Sequence, residues 1–188
     1  MASTSDIKKG AVIRHNNGLY VITGAQFVNP GKGSAFTKTK MKDIASGKSI
    51  EITYKSSESV DIVQVDHITL QYLYKNNDFC SFMNQTTYET IEVDMATVGD
   101  DVNYLKEGLE VVAAMFEGRV VAIELPKKVT YKVAEAPPAV RGDSAGGNVT
   151  KEVTLENGLK VAAPIFIKEG EEIVVNTETG EYGGRASE

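Results

Sequence analysis

Ala11-Val12-Ile13-Arg14-His15-Asn16-Asn17-Gly18-Leu19-Tyr20-Val21-Ile22-Thr23 sets two β-branched and aromatic runs around an Asn-Asn-Gly turn. Asn-Gly between such runs is a strong hairpin signal, because these residues tolerate the positive φ that a tight turn demands. The same pattern recurs along the chain: short runs rich in Val, Ile, Thr, Tyr and Phe, broken every ~8–12 residues by turn residues, as in sandwiches and small barrels. The sequence therefore predicts an all-β protein, and three blocks of strands separate within it.

In the first block, residues 1–64, the hairpin is followed by Phe36 to Ile44, the turn Ser46-Gly47-Lys48, and Ile50 to Tyr54. This length and pattern suit a small SH3-like barrel. The second block, 65–128, holds Ile68 to Tyr74, Phe79 to Met83, Tyr88 to Val93, Val111 to Phe116 and Arg119 to Leu125. Between its third and fourth strands, the spacing of Val102, Leu105 and Leu109 predicts a short helix over Val98 to Gly108. Five strands with a helix in that place are the layout of an OB-fold. The third block, 129–188, offers Val129 to Val133, Val149 to Leu155, Leu159 to Val161, Ile165 to Ile167 and Ile173 to Asn176. It predicts another small barrel, interrupted by a long irregular segment, Ala134 to Asn148, too rich in Gly and Pro to be a core strand.

Composition bounds the function. The chain has 188 residues, a formal charge of −6 and 41% hydrophobic residues, ordinary values for a globular protein. The charge is uneven: residues 1–64 carry 9 basic against 5 acidic side chains, 65–128 carry 5 against 11, and 129–188 carry 6 against 10. A basic first block thus precedes two acidic ones. Cys80 is the single cysteine and sits in the apolar run Phe79-Cys80-Ser81-Phe82, which predicts a small buried hydrophobe. With His15 and His67 it makes too few spaced ligands for a zinc site, so no metal or cofactor is expected. Met1 to Asp6 lacks a basic start and apolar core, and no stretch reaches the ~18 apolar residues of a membrane span. A cytoplasmic protein that neither enters nor crosses a membrane is the expectation.

Between the first hairpin and Phe36 lies Asn29-Pro30-Gly31-Lys32-Gly33-Ser34-Ala35. Pro30 fixes φ and biases Asn29 toward an extended shape, while Gly31 and Gly33 open positive φ and close approach. The expected result is a stiff finger displaying Lys32. A P-loop requires Ser or Thr directly after the lysine, and Gly33 stands there; the dinucleotide fingerprint fails because Phe36 occupies its last glycine position. No enzyme constellation emerges elsewhere. Lys38, Lys40 and Lys42 alternate with Thr37, Thr39 and Met41, which puts three cations on one strand face. Such a row either follows a phosphate backbone or is a solvated face that discourages edge aggregation. Tyr72 and Tyr74 share a face by the same alternation and serve either core packing or base stacking. Gly142-Asp143-Ser144 offers amides, a carboxylate and a hydroxyl suited to unpaired bases, or a turn in which Asp143 caps its own backbone. The pairs Asp100-Asp101 and Glu171-Glu172 read as solvated.

Pro30-Gly31-Lys32-Gly33-Ser34-Ala35-Phe36, Leu70-Gln71-Tyr72-Leu73-Tyr74 with Phe82-Met83-Asn84, Gly142-Asp143-Ser144-Ala145-Gly146-Gly147 and Thr179-Gly180-Glu181-Tyr182 together resemble the bacterial elongation factor P family, related to the hypusine-bearing initiation factor. The resemblance spans essentially the whole chain. It implies an SH3-like (KOW-type) barrel followed by two OB-folds in an L-shaped, tRNA-like arrangement. It also implies a non-enzymatic monomer that binds the 70S ribosome between exit and peptidyl sites and stimulates peptide-bond formation at consecutive prolines. By the same resemblance, Lys32 is the position acted on by a lysine-modifying enzyme and reaches the peptidyl-tRNA, with Pro30, Gly31 and Gly33 supporting it. Gly142, Asp143 and Ser144 would meet mRNA in the exit site, and Tyr182 and Arg185 would meet tRNA. Two departures stand out: Ser144 replaces the usual Thr, and Gly99-Asp100-Asp101-Val102-Asn103-Tyr104 replaces the more usual Gly-Asp-Asn-Ala-Lys pattern and loses a lysine. Alternatives are a divergent paralogue of the family and a general single-strand RNA-binding OB-fold protein.

Overall fold

In the computed structural model, which describes residues 2–31, 33–138 and 149–186, the Asn16-Asn17 turn has positive φ at both residues, 47° and 65°. That is the requirement of a type I′ hairpin turn. It joins β2 (Val12–His15) to β3 (Gly18–Val28), with His15 opposite Gly18. The first sheet is completed by β1 (Ala2–Ser3), β4 (Phe36–Asp43), β5 (Ser49–Lys55) and β6 (Ser59–Val63), in the order β1-β6-β2-β3-β4-β5. Its core is Ile7, Ile13, Ile22, Met41, Tyr54 and Val60. Each fully buried aliphatic chain there contributes about 1.5–3 kcal/mol. Strand β3 is longer than the expected Leu19 to Thr23. A bulge between Ile22 and Gly24 resets its register, and it then runs beside β4 until Val28 meets Phe36.

The second sheet holds β7 (Asp66–Lys75), β8 (Phe79–Asn84), β9 (Thr90–Asp94), β10 (Glu110–Phe116) and β11 (Arg119–Glu124), in the order β11-β10-β7-β8-β9. The third holds β12 (Lys128–Glu135), β13 (Thr150–Leu155), β14 (Lys160–Pro164), β15 (Glu172–Asn176) and β16 (Tyr182–Arg185), in the order β14-β13-β12-β15-β16. These two orders are one pattern. The first strand is central, the second and third lie on one side, and the fourth and fifth on the other, as in an OB-fold. Leu70, Phe82 and Ala113 centre one core; Tyr131, Val153, Ile167 and Ile173 centre the other.

Three local expectations are corrected, and one strand is added. The helix lies earlier than predicted: α1 (Met95–Val98) gives way at Gly99, where φ is 61°, to a 3-10 turn over Gly99–Tyr104. Leu105 is extended beyond it, yet Val98 and Leu105 both reach the core, so the apolar spacing marked buried residues of a different element. A bulge between Tyr72 and Tyr74 separates the two tyrosines: Tyr72 packs edge-on to Phe82 in the core, while Tyr74 is 55% exposed. No stacking face shared by the two exists. Ile165 to Ile167 is a turn in which the Ile167 N–H donates to the Pro164 carbonyl, and only Ile167 is buried. Strand β16, in contrast, was hidden by Gly183 and Gly184, which lack the β-branched signature of a strand.

The first and second sheets are joined by apolar packing. Val12 and Val21 from the first meet Ala114, Val121 and Ala122 from the second, with Phe116, Ile44 and Val65 around them. Gly10, at φ 88°, lies where an added Cβ would fall 2.0 Å from Glu124 Oε1, so the end of the Glu124 side chain on β11 lies against it.

Candidate functional site

The segment Asn29–Ala35 crowns the β3–β4 hairpin, whose last pairs are Phe27 with Thr37 and Val28 with Phe36. Gly31 and Gly33 are exposed, and a Cβ built on either would meet nothing within 4 Å. Both glycines therefore stand in open space. Gly33 has φ 107°, a backbone state that side-chain-bearing residues rarely adopt. At its base, the carbonyl of Ala35 accepts two hydrogen bonds from Ser56, from the amide at 3.0 Å and from Oγ at 2.9 Å. Ser56 was not legible as part of this site, because its link to Ala35 spans 21 residues of sequence. Lys32 itself lies outside the described residues, as do Gly142, Asp143 and Ser144.

On β4, Thr37, Thr39 and Met41 are buried while Lys38 and Lys40 are exposed, the alternation that the sequence predicts. Lys38 sits between Gln26 and Thr53, and Lys40 between Gly24 and Glu51. Lys42 is half-buried and donates to the carbonyl of Ala96 at 2.5 Å, so it reaches into the second barrel. Phe27, 64% exposed, is an aromatic side chain beside the loop that the sequence reading passed over. At the far end of the chain, Tyr182 is half-buried against the third core. Arg185 lies 4.9 Å over the Phe166 ring and 3.4 Å from Glu171 Oε1. Glu171 is therefore paired, contrary to the solvated reading, and Asp101 likewise meets Lys9 at 2.6 Å.

The second and third barrels meet through Tyr104 and Leu109, which pack against the third core, and through polar contacts around Glu156 and Asn157. Lys106 Nζ and the Lys132 amide each lie 3.1 Å from Glu156 Oε1. Burial pushes the Glu156 carboxyl up, but the Lys132 amide and the Lys106 ammonium outweigh it and hold it below its usual range. A lowered folded-state value contributes stability that is present above the ordinary carboxylate pKa and is lost as pH falls through the lowered one. Titrating the protein with acid from about pH 5 downward should accordingly loosen this junction, and Glu156→Gln should remove that part of the response. Amide exchange at Lys132 is the readout; an identical acid response in both proteins would count against the assignment.

Cys80 is fully buried, and burial pushes its thiol up, so it is packed as the sequence predicts. Along the first junction runs a cleft of about 870 Å³ lined by Asn17, Lys42, Asp43, Ala96, Phe116 and Arg119 among others. Its charges are mixed, and no nucleophile–base pair stands out in it. Among the described residues no helix is long and apolar enough to cross a membrane.

One SH3-like barrel carrying a displayed loop, followed by two OB-folds, defines a multi-barrel binding protein. Family models match along the chain: the elongation factor P KOW-like domain over residues 3–60, the elongation factor P OB domain over 65–123, and the elongation factor P C-terminal domain over 129–185. Elongation factor P of Acidothermus cellulolyticus (strain ATCC 43068 / DSM 8971 / 11B) is 41% identical over 187 residues, and that of Streptomyces coelicolor (strain ATCC BAA-471 / A3(2) / M145) is 40% identical over 188, each covering 100% of both chains. Eukaryotic translation initiation factor 5A from Methanococcus jannaschii shares 21% identity over 65% of this chain and 92% of its own, with a TM-score of 0.36. The chain belongs to the elongation factor P family.

Proposed function

We propose that this protein is a non-enzymatic translation elongation factor that binds the 70S ribosome between the exit and peptidyl sites and speeds peptide-bond formation at consecutive prolines. Lys32 reaches the acceptor end of peptidyl-tRNA and holds it in a reactive geometry. The ribosome supplies the chemistry, and holding reactants in near-attack geometry removes an entropy cost from the barrier. One observation carries this reading: the glycines on either side of Lys32 stand in open space on a hairpin braced by Ser56, in a chain 41% identical throughout its length to elongation factor P.

In this reading the functional units are residues 1–64, 65–128 and 129–188, set as an L that imitates tRNA. Gly142, Asp143 and Ser144 meet the exit-site codon, Tyr182 and Arg185 meet tRNA, and a lysine-modifying enzyme acts on Lys32 in the cytoplasm. To reach RNA, Arg185 exchanges its Glu171 contact for phosphate. Lys38 and Lys40 face RNA backbone, and Lys42 adds to them where its bond to Ala96 allows.

The test is reconstituted translation of one message with a proline run and one without, each with and without the protein. Stimulation confined to the proline run is expected; equal yields on both messages would sink the proposal. The lysine row has its own measurement. Replacing Lys38 and Lys40 together with alanine should lower the slope of log affinity for ribosomes against log salt by about 1–2. An unchanged slope would make these lysines a solvated face only.

A further inference from the structure

The residues that depart from the usual Gly-Asp-Asn-Ala-Lys pattern lie where all three barrels meet. Toward the first barrel, Lys9 Nζ approaches Asp101 Oδ2 at 2.6 Å, with the Asp101 side chain only 13% exposed. Just before this turn, Lys42 Nζ holds the carbonyl of Ala96 on α1. Toward the third barrel, Asn157 Nδ2 donates to the carbonyls of Asn103 at 2.9 Å and Leu105 at 3.3 Å. Tyr131 Oη donates to the carbonyl of Tyr104. Tyr104 Oη lies 3.0 Å from the point where Gly180 would carry a Cβ.

We propose that Gly99–Leu105 is the positioning element of the molecule, and that the Lys9–Asp101 pair fixes the direction in which the first barrel projects its Asn29–Ala35 loop. The physical reason is a division of labour at the first junction. Val12, Val21, Ala114, Val121 and Ala122 supply attraction, but apolar contact is non-directional, so orientation at this junction falls to polar contacts, of which Lys42 with Ala96 is one and Lys9 with Asp101 the charged one. A short ion pair has a direction, and Asp101 forms one with Lys9, whose neighbour Gly10 lies against the Glu124 side chain of the second barrel. Since the same turn also accepts hydrogen bonds from Asn157 and Tyr131, a displacement of Asp101 is passed to the third barrel. Asp101, the acid standing where the pattern has Asn, thus works between barrels.

The geometric claim is independent of the proposed function, whereas its consequence for translation rests on that reading. Spin labels at Thr53→Cys and Glu92→Cys report the first junction in the full chain, and labels at Glu92→Cys and Glu169→Cys report the second; all three sites are exposed. Asp101→Asn and Lys9→Gln should each broaden the first distance distribution about twofold, and the exchange Lys9→Glu with Asp101→Lys should restore it, as a coupled pair requires. Proline-run synthesis should fall about three- to tenfold in the single variants and recover in the exchange, because small misplacements of a positioned group are costly. Single variants with the parent's distribution, or a folded exchange variant that stays broad, would overturn the proposal. A parent that never stimulates proline-run synthesis would overturn the functional reading while leaving the distances as its separate test.

Discussion

Replacing Lys32 with alanine should abolish most of the stimulation of a proline-run reporter, on the order of 100-fold where positioning limits the rate. Ribosome binding should survive in part. Among the described residues the loop is supported by the backbone turn at Gly33 and by Ser56, which holds Ala35 through two hydrogen bonds. The variant should therefore unfold at the parent's temperature, which separates loss of contact from loss of fold. Lys32→Arg keeps a cation but removes the amine that a modifying enzyme would use. Partial activity from Lys32→Arg and none from Lys32→Ala would assign the residual effect to charge. Intact mass with peptide mapping across Phe27 to Lys38 identifies the group carried, and an unmodified mass would end any dependence on an added group. Normal synthesis from Lys32→Ala would refute the positioning role outright.

Removing the Tyr131 side chain should give the largest loss of stability. Tyr131 is fully buried among Val129, Val133, Val153 and Ile173, and its hydroxyl reaches the carbonyl of Tyr104 in the preceding barrel. Tyr131→Ala should cost about 3–5 kcal/mol, the usual range for a large aromatic in a core. Tyr131→Phe keeps the volume and should cost about 1–3 kcal/mol for the hydrogen bond and the carbonyl left behind. Denaturant unfolding followed by probes in each barrel is the right measurement, since a multi-barrel chain need not unfold in one step. An alanine variant as stable as the phenylalanine one would contradict the packing account. Alkali offers a further check on the same residue. Burial holds the Tyr131 hydroxyl protonated well above the ordinary tyrosine range, with Tyr104 and Glu156 adding to the effect. A raised folded-state value means its contribution is fully present below the unfolded pKa of about 10 and declines as pH rises beyond it, and Tyr131→Phe should show less of that decline.

Local chemistry made much of this fold legible. The Asn16-Asn17 turn needs only residues that accept positive φ, and the Lys38–Lys40 face needs only alternation along one strand. What escaped was set by partners distant in sequence or by irregular backbone. The bulges at Thr23 and Leu73 shift register by one residue and so reverse faces, which is why Tyr72 and Tyr74 part company. Strand β16 forms because β15 offers it an edge, although Gly183 and Gly184 have little strand preference of their own. At the candidate site, Pro30, Gly31 and Gly33 announced a displayed loop, whereas Ser56 gave no local sign of bracing it. Asp101 and Glu171 looked solvated because their cations, Lys9 and Arg185, lie 92 and 14 residues away.

The double hydrogen bond from Ser56 to Ala35 bears on what the loop loses when it docks. A slack loop loses about 1–2 kcal/mol of backbone entropy per residue when it docks, and that loss has to be recovered from affinity. Ordering Ala35 when the barrel folds takes part of the loss out of the docking step. On the proposed function, a tip ordered in advance needs fewer contacts to reach a given affinity, so a single side chain at the end of the loop suffices to hold its target.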